Sequence, residues 1–226
     1  MKNLKRIINN FHHSFQSGMT MIELLVVLGI FIVVTSLVMF DYGSFRSSTS
    51  LTNLASDISL SVRRAQSYAI GAYSSNSVFS YGYGVHFSTD RIPVSNQYNG
   101  SNKSFLLFTD VSGDKMYDSD GNPCSSNVSS TNECSEILTI SSADEISGIY
   151  LSGSSTALPV GGVVDIMFLR PNPDAYFCYR SSPSSSSCDS STGISNVRVE
   201  ISNYNEEVGF TKKDITIWST GQISVQ

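Results

Sequence analysis

The stretch Ser17-Gly18-Met19-Thr20-Met21-Ile22-Glu23 reads SGMTMIE and runs without a break into LLVVLGIFIVVTSLVMF, residues 24–40. From Met19 to Phe40 there are 22 residues and one charge, Glu23. As a helix this segment would be about 33 Å long, enough for a bilayer core of about 30 Å. Lys2, Lys5 and Arg6 precede it, and most of the chain follows it. The positive-inside rule then predicts a cytoplasmic N-terminus and an exported main domain.

Three readings compete for this segment. A secretory signal peptide would show small residues at a cleavage site just beyond the apolar run. After Val34 the chain reads TSLVMFDYG, with no convincing site of that kind. A plain uncleaved anchor explains the apolar run but gives Glu23 no role. A carboxylate within the apolar zone costs on the order of 3 kcal/mol unless it lies near the interface or has a partner.

The third reading supplies a partner. The stretch resembles the type IV prepilin signature, shared with type II secretion pseudopilins. Gly18 falls at the position before the scissile bond, Met19 after it, and Glu23 is fifth in the new chain. Thr20, Met21, Ile22, Leu24 and Leu25 also fit. Two departures are visible: Met stands where Phe is usual, and the 18-residue leader is longer than most. The resemblance implies cleavage between Gly18 and Met19 by a prepilin peptidase and N-methylation of Met19. Glycine lets the backbone enter a tight protease site. The new amine at Met19 can pair with Glu23 of a neighbouring subunit in a packed fibre. A subunit out of register would bury an unpaired charge, which is strongly penalised. Glu23 is therefore expected to set assembly register; the alternative is an acid at the membrane interface.

The remaining 185 or so residues suffice for one domain with a core. Charged residues make up 15% of the chain, with 12 Phe and 11 Tyr, a composition unlike disorder. The first 18 residues carry three cations and no acid, so the rest stands at −8 against a whole-chain −5. An acidic domain is a poor partner for nucleic acid without a basic patch. The adjacent cations are Arg63-Arg64 and Lys212-Lys213, the second pair with Glu206, Glu207 and Asp214 close by. The end of the chain, TGQISVQ, has none. Nucleic acid is not expected as a partner, and Arg63-Arg64 reads as a solvated helix face or a partner of nearby acids.

Cys124, Cys134, Cys178 and Cys188 fall as two pairs, each ten apart, in Ser- and Asn-rich stretches read as loops. With an export-like N-terminus they favour disulfides, with local bridges Cys124–Cys134 and Cys178–Cys188 preferred. Each would stabilise by about 2–3 kcal/mol. Free thiols and a zinc site are the alternatives.

Leu51, Leu54, Ala55, Ile58, Val62, Ala65 and Ala69 recur at three- and four-residue intervals, predicting a second, amphipathic helical half lying on a domain. Gly43 and the Ser47-Ser48-Thr49-Ser50 run form a weak spot, and Gly71 a stop. Short β runs follow: VFSYGYGVHF (78–87), SFLLF (104–108), EILTI (136–140), GIYL (148–151), VVDIMFL (163–169), SNVRVEI (195–201), DITIW (214–218) and GQISV. Thr220-Gly221-Gln222 reads as a tight hairpin between the last two. The expected organisation is a leader at 1–18, a long helix at 19–72 with its membrane half at 19–40, and an exported β-rich domain at 73–226. The fold class is α+β.

The order of the pieces RRAQSYAI, YGYGVHF, LLFTDVSGDKMYDSDG, IMFLRPN, SNVRVEIS and WSTGQISV also resembles the GspH/FimT/FimU-like group of minor pilins and pseudopilins. That resemblance implies a pilin-like fold, a long helix packed on antiparallel sheets. It implies other pilin or pseudopilin subunits, the peptidase, membrane lipid and an inner-membrane assembly platform as partners. It leaves pilus and secretion pseudopilus, and minor and major subunit, undistinguished.

Catalytic signatures are absent from the sequence. The loop TDVSGDKMYDSDG carries Asp110, Asp114, Asp118 and Asp120, but the spacing is not that of an EF-hand. Aligning Asp118-Ser119-Asp120-Gly121 to it puts Met116 at the first ligand position and Asn127 where the bidentate Glu belongs. A structural turn is expected over calcium. Paired acids specify no glycosidase cleft. Of three His, His12 and His13 lie in the expected leader, and His86 reads as a sheet-face residue. No GxGxxG, P-loop or HExxH occurs. No enzyme activity and no cofactor are expected. The runner-up is a binding module whose loops at 94–104 and 181–193 contact a ligand.

Overall fold

Helix α1 begins where the sequence supplies a cap. The computed structural model describes residues 18–71, 81–91, 97–125, 127–182, 185–189, 193–205 and 209–226. Residues 1–17, with His12, His13 and the basic residues of the expected leader, lie outside that set, as do Val78 to Ser80 and Glu206-Glu207. Within it, α1 spans Met21–Ile70. One Glu23 carboxylate oxygen accepts the Thr20 amide and the Thr20 hydroxyl, each at 2.9 Å. The Glu23 amide donates back to the Thr20 hydroxyl at 3.3 Å. This reciprocal capping box satisfies amides that a first turn leaves bare. At the other end the Gly71 amide bonds the Ser67 carbonyl at 2.7 Å, and the helix stops one residue short of it.

The chain divides into two compact units, Met1–Tyr42 and Gly43–Gln226. In the first, Met21–Met39 has a mean hydropathy of 2.7 with none of it buried, long and apolar enough to cross a membrane. In the second, the seven residues from Leu51 to Ala69 singled out by periodicity are all buried. The helix is unbroken through Gly43 and the serine run, where the sequence reading expects a weak spot. The cause is tertiary. Ser47 is buried, and Ser50 donates its hydroxyl to Asp144 of the β-rich region.

Among the described residues, nine strands form two antiparallel sheets. The five-stranded sheet has the order β3-β2-β1-β5-β6. Its members are β1 Gly82–Ser88, β2 Ser104–Asp110, β3 Cys134–Thr139, β5 Val163–Phe168 and β6 Ala175–Arg180. The four-stranded sheet has the order β4-β7-β8-β9. Its members are β4 Glu145–Leu151, β7 Asn196–Asn205, β8 Gly209–Trp218 and β9 Ile223–Val225. Gly221 at φ +80 turns β8 into β9, with the Trp218 amide bonding the Gln222 carbonyl at 2.8 Å, the expected hairpin.

Strand β6 is not among the expected runs, and Cys178 lies inside it rather than in a loop. Its alternation is plain in AYFCYR, with Phe177 in the main core and Tyr176 packed on the opposite face. Flanking Pro and Ser residues disguise the run.

One core joins the helix stripe to the inner faces of both sheets, through Val85 and Phe87 of β1, Ile166 of β5, Val199 of β7 and Ile215 of β8. A second, smaller cluster lies on the outer face of the five-stranded sheet: Leu106, Phe108, Met167 and Cys134 under Tyr117. The segment joining β2 to β3 supplies that cover. Strands β1, β2 and β5 are therefore buried along their whole length.

Candidate functional site

The expected processing site lies at the exposed start of α1. Gly18, Met19 and Glu23 are all exposed. The carboxylate of Glu23 has a local partner in Thr20, which the sequence reading did not weigh although T-x-x-E is a capping signature.

The four cysteines form the two local bridges, Cys124–Cys134 and Cys178–Cys188. Each joins an edge strand of the five-stranded sheet, β3 or β6, to a neighbouring loop.

The acidic loop is organised as turns. Asp110 accepts the Gly113 amide at 2.7 Å, Asp114 the Met116 amide at 2.9 Å and Asp120 the Asn122 amide at 2.9 Å. At its centre is a residue the sequence reading did not single out. Glu133 is fully buried. Its carboxyl accepts the amides of Val111 at 2.7 Å, Ser112 at 2.9 Å and Asp118 at 3.1 Å. Burial nonetheless pushes its pKa up to about 8, outweighing those donors. Burial also raises Asp110 and Asp118, while the bonds from Asn122 lower Asp120. Among the described residues, no three His, Cys, Asp or Glu side chains are arranged to hold a metal ion.

On the helix, Arg64 pairs with Glu136 at 2.5 Å, both about 40% exposed, while Arg63 is exposed. Such a half-exposed pair contributes little.

The most elaborate constellation lies on the outer face of the five-stranded sheet. His86 of β1 and Asp165 of β5 are direct cross-strand partners, and Asp165 is opposite Cys178 of β6. The side chains of His86, Asp165 and Arg180 are at most 3% exposed. His86 Nδ1 lies 2.5 Å from Asp165 Oδ1, and Arg180 Nη2 donates to Asp165 Oδ2 at 2.8 Å. The Tyr117 amide adds a third donor to Asp165 at 3.3 Å. Arg180 also donates to the carbonyls of Tyr117 at 3.1 Å and Ser185 at 3.3 Å. The Tyr117 hydroxyl donates to the Tyr98 carbonyl at 2.6 Å.

Above this floor opens a cavity of about 290 Å³, lined by His86, Asn99, Tyr117, Asp118, Ser119, Arg180, Ser185 and Ser186. Asn99 and the two serines come from the loops expected at 94–104 and 181–193, parts of which lie outside the described residues. The floor's polar groups are engaged with one another. They fasten three separate segments to the sheet, and both His86 ring nitrogens already have partners, the Asp165 carboxylate at 2.5 Å and the Asn99 carbonyl at 3.1 Å. The sequence marks His86, but nothing local marks Asp165 or Arg180 as its company.

No family model matches the chain, and no curated protein and no solved structure is detectably similar to it.

Proposed function

We propose that this chain is the precursor of a minor pilin or pseudopilin, a structural subunit of a type IV pilus or a type II secretion pseudopilus. One observation carries the reading. A single helix has an exposed, membrane-length apolar half and then a half whose apolar stripe is buried in a β-rich core. Gly18-Met19 stands at its head, with Glu23 at the fifth position after the glycine. In this reading the leader to Gly18 is removed by a prepilin peptidase and the Met19 amine is methylated. The chain waits in the cytoplasmic membrane with its N-terminus inside, until the inner-membrane assembly platform moves it into a fibre. The β-rich unit, with its pilin-like fold, then faces outward. The chain is a substrate of the peptidase and catalyses no reaction itself.

N-terminal sequencing of assembled material tests this. We expect methylated Met19 at the start; an intact Met1 terminus in the fibre would overturn the proposal. A second variant separates the two roles of Glu23. Glu23→Gln keeps a capping side chain but removes the charge. If the charge sets register, processing proceeds and fibre entry is lost. Normal fibre entry by this variant would leave Glu23 as a cap alone.

The cavity favours a second reading, a pilus-associated binding module whose ligand contacts Asn99, Ser185 and Ser186. Binding of glycans or DNA to the full chain in detergent, weakened by Ser186→Trp, would support it.

A further inference from the structure

The two ring nitrogens of His86 both face acceptors. Nδ1 meets the Asp165 carboxylate at 2.5 Å, and Nε2 meets the Asn99 backbone carbonyl at 3.1 Å. A backbone carbonyl only accepts, and it cannot exchange donor for acceptor by flipping as an amide side chain can. Asp165 is itself the meeting point of His86, Arg180 and the Tyr117 amide, so it too is an acceptor. A neutral imidazole has one N–H and one bare lone pair. Both contacts are hydrogen bonds only when the ring is an imidazolium.

A second feature fits the same geometry. Gly100 has φ +76, and a Cβ built on it would lie 3.0 Å from His86 Cδ2 and 3.1 Å from Nε2. Just after the Gln97–Asn99 turn the backbone thus passes directly against the ring edge at Gly100, where a side chain would crowd the imidazole. That close approach is what delivers the Asn99 carbonyl to Nε2.

We propose that His86 is a proton-dependent latch. As an imidazolium it fastens the Gln97–Asn99 turn over the cavity, and loss of its Nε2 proton releases that turn. The proton passes to water in the cavity, which His86 lines. The Nδ1 proton remains on the ring, facing Asp165. The Nε2 lone pair then confronts the lone pairs of the Asn99 carbonyl, and an attraction becomes a repulsion. The charged and titratable groups around the ring come from every neighbouring element. Asp165 of β5 presents one carboxylate oxygen to Nδ1, and Arg180 of β6 binds the other. Tyr117 packs its ring 4.7 Å from the imidazole, and Asp118 lines the same cavity. Glu133 bonds the Asp118 amide, and its own titration must be separated from that of His86. The Tyr117–Tyr98 bond is a second tie on the turn, so release means loosening of one segment and not unfolding.

The test uses the full-length chain in detergent micelles with His12→Gln and His13→Gln, leaving His86 as the sole imidazole. Long-range proton–nitrogen spectra of the ring should show both nitrogens protonated at the acid end of a pH series and Nε2 bare at its alkaline end. Amide exchange of peptides covering 97–104, corrected for intrinsic rates, should accelerate about tenfold across the same step, the worth of one hydrogen bond. The step should persist in Glu133→Gln and vanish in His86→Gln. A bare Nε2 with the turn still protected would overturn the proposal. So would a step that disappears in Glu133→Gln or survives in His86→Gln. The ring spectra decide the matter without any variant of the cluster.

Discussion

Glu133 is the residue whose chemistry is most changed by the fold. Its carboxyl is sealed from water and gathers three backbone amides of the β2–β3 segment. Because its pKa rises from 4.5 to about 8, the folded chain binds this proton more tightly than the unfolded chain does. The contribution to stability is therefore full at low pH and is lost as pH rises from about 4.5 to about 8. We expect denaturation midpoints to fall as pH is raised across the upper part of that range, and Glu133→Gln to flatten most of the slope. A slope unchanged in that variant would assign it elsewhere. None of this is visible from the sequence, where TNEC reads as an ordinary polar turn. The partners of Glu133 lie 15 to 22 residues away, and those of His86 as far as 79. Pairings at such separations are made by the sheet and leave no local pattern. The Thr20–Glu23 box is the opposite case: its donor and acceptor are three residues apart and could be read directly.

Helix α1 shows what periodicity does and does not convey. Its buried stripe was legible because seven apolar residues at three- and four-residue spacing define a face regardless of what covers it. Ile58 is fully buried in that stripe, whereas Leu60 is 65% exposed. Ile58→Ala should cost about 2–5 kcal/mol and Leu60→Ala well under 1, measured by chemical denaturation. Equal costs would mean that the stripe does not carry the packing. Strand β6 escaped notice for a different reason. It is short, it carries Cys178 and ends in Arg180, and its polar members lie on the outer face. Only the sheet explains why a cysteine and an arginine alternate with aromatics there. The acidic loop was legible as a set of turns, since Asp–x–x–Gly and Asp–x–Asn spacings fold on themselves. That Tyr117 within it would roof the sheet was not.

At the scale of the molecule, the five-stranded sheet is covered on both faces but ends at two borders, β3 and β6. Each border holds one half of a disulfide. The tethered loops also cap border carbonyls: the Ser125 amide takes that of Cys134 at 3.0 Å, and the Asp189 amide that of Tyr179 at 2.8 Å. Mild reduction should leave far-ultraviolet circular dichroism nearly unchanged while light scattering rises, because the interior is intact and the borders are opened. Loss of the dichroism signal before any scattering would show that the bridges support the interior instead. An unguarded β-border is a template for unwanted polymerisation. If the chain enters one ordered polymer by its helix, as proposed above, the two sulfur links would act as chaperones built into the chain, closing off the route to a disordered one.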